Sequence, residues 1–131
     1  MKAQKTIVSG LIFFCLVLLT VQSALATTLT LGTASVDVNE NETATIDLTA
    51  LTTYDGNETL QYTDNVSFGQ ILEGYPVLFE WNTSFTDAGV YDILFTVEEL
   101  GGNLTKDSNT STITVTDVNR PPTFTSTPIT T

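Results

Sequence analysis

Chemistry needs reactive side chains, and this chain offers few. It has no histidine, and its one cysteine, Cys15, sits inside an apolar run near the N-terminus. The commonest general base is therefore missing, and so, outside that run, is the commonest thiol nucleophile. Glu98-Glu99 is a pair of adjacent carboxylates, the residue type that hydrolyses glycosides. Successive residues of a strand face opposite ways, so the two are expected to be solvated charges beside a hairpin. The serines have no recognisable base partner. No catalytic residue is assigned, and no enzyme is expected. What the chain does hold in excess is oxygen and amide chemistry. Fifteen Asp and Glu stand against four Lys and Arg, a formal net charge of −11. Six of the eight asparagines, at Asn41, Asn57, Asn65, Asn82, Asn103 and Asn109, begin an N-x-S/T triplet, the acceptor sequence for N-linked glycans.

That balance bounds the partners. Nucleic acid is excluded, because a phosphate backbone needs a basic face. At the N-terminus Lys2 and Lys5 precede the apolar stretch Ile7–Val21, and Ala24-Leu25-Ala26 follows. A run of this length is short of the roughly 20 residues of a membrane span, and A-x-A meets the small-residue demand of signal peptidase. Cleavage after Ala26 is expected, with an uncleaved membrane anchor as the alternative. Removing those 26 residues leaves 105, the size of one domain. It also removes Cys15, so this chain would have no disulfide and would rely on apolar burial. Lys106 and Arg120 against fifteen acids then give a formal charge of −13. The expected address is outside the cell: secreted or at the surface.

The elements that position these residues read as strands. Ala44–Ala50 alternates Ala44, Ile46, Leu48 and Ala50 with Thr45, Asp47 and Thr49. Tyr91–Val97 and Thr112–Thr116 alternate likewise. A period of two sends alternate side chains to opposite faces of a sheet. Weaker strands are expected over Ser35–Val38, Leu60–Thr63, Gln70–Leu72 and Val77–Trp81. Asp55-Gly56-Asn57 and Gly101-Gly102-Asn103 are turn signals, the second a hairpin tip. No segment shows a helical period. Roughly seven short strands with regular turns predict an all-β fold, an antiparallel β-sandwich, with a small barrel as the alternative.

Asp87-Ala88-Gly89-Val90-Tyr91 predicts a corner. In a sandwich, D-x-G-x-Y precedes a central strand; the Tyr ring enters the core while its hydroxyl bonds nearby backbone. Asp87, Gly89 and Tyr91 are therefore assigned a structural role. With Phe79-x-Trp81, Phe85–Tyr91, Phe95-Thr96-Val97 and the ending Val115–Pro122, the chain resembles the Ig-like and cadherin-like repeat modules of bacterial and archaeal surface proteins. The resemblance spans about residues 34–124. Within the domain it departs from the family pattern in two places. Trp81-Asn82-Thr83 lacks the proline of W-x-P, and Thr53–Tyr62 is a changed form of the acidic D-x-D-G-D-x-L-x-Y motif, with Thr53 and Asn57 in place of acids.

The resemblance implies a non-catalytic structural or adhesion module, one piece of a multi-repeat surface protein. It also implies calcium at the C-terminal junction, through Asp117 and Asn119. Glu40 and Glu42, in a loop before the second strand, are expected to face them from the same end, since Ca²⁺ takes about six to eight oxygens. Arg120 stands where the family linker has a second acid, and a cation there opposes the ion. The expected organisation is a signal peptide over 1–26, a lead-in segment over 27–33, the sandwich over 34–119, and a linker or the start of a next repeat over 120–131. The partners implied are extracellular proteins or glycans and neighbouring repeats. Two other readings stand beside this one. A carbohydrate-binding module would use Tyr54 and Tyr75 as its aromatic platform, and a filament subunit would join by strand exchange.

Overall fold

The computed structural model describes residues 27–101 and 105–122. The expected signal over 1–26, the Gly102-Asn103 part of the hairpin tip and everything from Thr123 onward lie outside the described residues. Along the described chain run β1 (Leu29–Leu31), β2 (Ser35–Asn39), β3 (Thr43–Asp47), the single helical turn α1 (Leu48–Leu51), β4 (Thr52–Tyr54), β5 (Thr59–Asp64), β6 (Gln70–Leu72), β7 (Leu78–Asn82), β8 (Gly89–Leu100) and β9 (Lys106–Thr116). The fold is all-β, as the alternation predicts.

The strands form a four-stranded sheet in the order β2-β9-β8-β5, a three-stranded sheet in the order β3-β7-β6, and a two-stranded ribbon of β1 and β4. The hairpin β8–β9 is the longest pairing, running from Gly89↔Val115 to Glu98↔Lys106. One expectation needs correction here. The sheets are not wholly antiparallel, because β2 pairs with β9 in parallel, from Ser35↔Thr112 to Asn39↔Thr116. The chain leaves β2 for β3 in the other sheet, so β2 takes a partner distant in sequence. Side-chain alternation specifies which face a residue occupies, not which way the neighbouring strand runs.

The core draws on all three sheets. Ala44, Ile46, Phe79 and Trp81 face Tyr62, Ile93, Phe95, Val97, Ile113 and Val115, with Leu29 and Leu31 of the ribbon completing it. The Phe79 and Phe95 rings meet across the two larger sheets, edge to face at 5.2 Å. Phe79, Ile93, Val97 and Ile113 are fully buried.

Two local differences from the expected strands have physical causes, and one glycine is fixed by close packing. The alternation of Ala44–Ala50 continues as strand only to Asp47. There the Asp47 carboxylate accepts the Ala50 N–H at 2.9 Å, and the chain closes into α1. Leu48 still reaches the core, because one helical turn also points it inward. The expected lead-in over 27–33 contains strand β1, since Leu29 and Leu31 bury their side chains and Tyr54–Thr52 offers a backbone edge. Gly69 has a φ of +73°, and a Cβ there would lie 2.5 Å from the Phe79 ring and 2.9 Å from the Glu80 carbonyl. Only glycine fits.

Candidate functional site

The residues singled out in the sequence gather mainly at one end of the molecule, where β2 gives way to β3, β7 to β8, and β9 to the C-terminal segment. The D-A-G-V-Y segment lies immediately before and within the start of β8. The Tyr91 hydroxyl donates to the Asp87 carbonyl at 2.9 Å. The Tyr91 ring packs edge-on against Trp81, with centroids 4.7 Å apart, and against Phe68 at 5.4 Å. The Asp87 carboxylate turns back and accepts from the Ser84 N–H at 2.6 Å and the Ser84 hydroxyl at 2.8 Å. Those bonds, the backbone one first, hold the Asp87 carboxyl below its ordinary value of 3.8.

Thr83, where the resembled family has proline, is buried and bonded through both its amide and its hydroxyl. Its N–H donates to the Glu42 carbonyl at 3.0 Å, and its hydroxyl donates to the same carbonyl at 2.8 Å and accepts the Glu42 N–H at 3.1 Å. Proline has no N–H to give. The departure from W-x-P is thus tied to the β2–β3 loop, where Asn41 adopts a φ of +62°.

The four calcium candidates are placed as follows. Glu40 is buried at 5% exposure, beside the segment that carries Asp117. Its Oε1 accepts the Ala88 N–H and its Oε2 accepts the Val118 N–H, each at 3.2 Å. Glu42 is exposed, and its Oε2 accepts the Asn39 N–H at 3.0 Å, which holds its carboxyl below the usual range. Asp117 and Asn119 are exposed. Among the described residues, no three Asp, Glu, His or Cys side chains converge as a metal site.

The closure of Arg120 was not expected from the sequence, and the expected solvation of Glu99 needs correction. Arg120 folds back onto Phe85: its Nη2 donates to the Phe85 carbonyl at 3.1 Å, and its guanidinium lies 4.4 Å from the ring centroid. Glu99 is not solvated but buried at 3% exposure, and its Oε1 accepts the Tyr54 hydroxyl at 3.0 Å. Its parity with Val97 was the signal that could have found it, since both occupy the inward face of β8. Glu98 does face solvent, in an exposed ion pair with Lys106 at 3.7 Å. Tyr54 is therefore engaged at both ends of its hydroxyl, because it also accepts the Glu58 N–H at 3.1 Å. Desolvation, the largest effect, raises its pKa; the Glu58 N–H bond opposes the rise and the Glu99 carboxylate adds to it. Tyr75 is almost wholly exposed, at 92%.

The glycan candidates divide. Asn41, Asn57, Asn65 and Asn82 are exposed. Asn109 is half-buried, and its Nδ2 donates to the Leu31 carbonyl at 3.0 Å, tying β1 to β9. Asn103 lies outside the described residues.

With this geometry in hand, comparison with known proteins adds little. No protein-family model and no curated protein matches the chain. Among solved structures, a sialyltransferase from Photobacterium damsela shares 19% identity over 67% of this chain, with a TM-score of 0.38. The chain spans 18% of the length of that structure. A likeness at that level carries no argument about fold or activity. Among the described residues, no helix is long and apolar enough to cross a membrane.

Proposed function

We propose that the chain is a non-catalytic Ig-like or cadherin-like module, exported to the cell surface, that serves structure or adhesion within a larger repeat protein. The observation that carries this reading is the corner ahead of β8. There the D-A-G-V-Y segment bonds the Tyr91 hydroxyl to the Asp87 carbonyl and packs the ring on Trp81, between a four-stranded and a three-stranded sheet. That device belongs to sandwich domains with Greek-key connections. The polar groups buried at this end are spent on backbone bonds, which suits a scaffold more than a reaction centre. Four exposed acceptor asparagines accord with a glycosylated outer surface.

The test is location and attachment. Antibody against the chain should label intact native cells, and deleting residues 27–122 from the gene should reduce adhesion of those cells. Labelling that requires permeabilised cells would overturn the reading. The nearly bare Tyr75 ring supports a second reading, glycan recognition at the loop before β7. A glycan-array signal lost in Tyr75→Ala would favour it; the Tyr54 ring, half-buried against the core, offers less open face than Tyr75.

A further inference from the structure

We propose that residues 117–120 are a strap, closed by protein contacts without a metal ion, that fixes the direction in which the chain leaves the domain. Three contacts carry it. The Glu40 N–H donates to the Thr116 carbonyl at 2.9 Å, extending the β2–β9 pairing past the end of the strands. The buried Glu40 carboxylate then bridges two segments far apart in sequence, taking the Ala88 N–H of the corner on one oxygen and the Val118 N–H of the strap on the other. Beyond it, Arg120 closes over Phe85 with its guanidinium on the ring and its Nη2 on the backbone carbonyl. Pro121 and Pro122 follow at once, and a proline pair continues a direction stiffly.

These contacts do the work that a bound cation would otherwise do, and they oppose one. Backbone N–H groups present the positive ends of their dipoles to the Glu40 carboxylate, so its charge is already met. A fixed guanidinium at the same end repels a divalent ion. Glu40 is thus a positioning residue, and Phe85 and Arg120 are the latch. The strap does not depend on the surface-module reading, and would hold in a protein of any location.

The test is backbone amide exchange of the full chain, read at Val118 with a chelator present. Protection of Val118 is expected in chelator, unchanged on adding millimolar calcium. Arg120→Ala and Phe85→Ala should each speed Val118 exchange about two- to fivefold, the worth of an exposed cation–π contact. Glu40→Gln should speed it about tenfold or more, because a charge-assisted acceptor is lost. Should Glu40→Gln fail to fold, the two latch variants, altered on the surface, still decide. Three outcomes overturn the strap: Val118 unprotected in the unmodified chain, protection gained only with calcium, or an exchange rate indifferent to Arg120→Ala.

Discussion

Tyr91 and Asp87 show how much one corner asks of single atoms. Tyr91→Phe keeps the ring against Trp81 and removes only the hydroxyl bond to the Asp87 carbonyl. The expected loss is about 1 kcal/mol, the net value of one such bond, measured as a lower urea midpoint with an unchanged slope. Asp87 adds a dependence on pH. Its folded-state carboxyl is depressed by the Ser84 bonds. The stability it contributes is therefore present above its unfolded pKa near 3.8 and drains as pH falls through the lower folded value. Melting temperature followed from about pH 5 down to about pH 2 should fall less steeply in Asp87→Asn than in the unmodified chain. An equal slope would remove Asp87 from the acid response. Asn109 and Asn41 make a further pair. Asn109→Ala loses the bond to the Leu31 carbonyl and should cost about 1 kcal/mol, while Asn41→Gly, at a positive φ and exposed, should cost little or nothing.

Among the elements, β1 tests the extent of the domain. It is three residues long, yet Leu29 and Leu31 are buried and the Leu31 N–H donates to the Asp107 carboxylate at 2.7 Å. Leu31→Ala should destabilise by about 2 to 5 kcal/mol, the range for emptying a buried leucine site. If equilibrium denaturation finds no loss, the segment over 27–33 is a lead-in after all. This element was hard to read because three residues show too little alternation, and its partner β4 is equally short. The longer strands were legible for the opposite reason. Tyr91–Val97 and Thr112–Thr116 carry enough repeats of a two-residue period to name their inward faces, and β8 and β9 bury them as expected.

For the whole molecule, charge is the dominant sequence-level fact. With a formal net charge of −11 over 131 residues, like charges repel across a small body. The ion pair of Lys106 with Glu98 is exposed and worth about 0 to 1 kcal/mol, far too little to offset that. Added sodium chloride should therefore raise the melting temperature as it screens the repulsion. A melting temperature that falls or stays level with salt would show that the acids are neutralised within the fold.

The chain's own order of residues determined the all-β class, the inward faces of the long strands, the tyrosine corner and the poverty of catalytic groups. Each of these is set by neighbours in sequence, through the two-residue period of a strand or the simple absence of a side chain. The tertiary structure alone decided the parallel pairing of β2 with β9, the burial of Glu40 and Glu99, the role of Thr83, and the closure of Arg120 over Phe85. In each of these the partner stands dozens of residues away or on another strand. A carboxylate reads as a surface charge until the fold brings backbone N–H groups or a tyrosine hydroxyl to meet it.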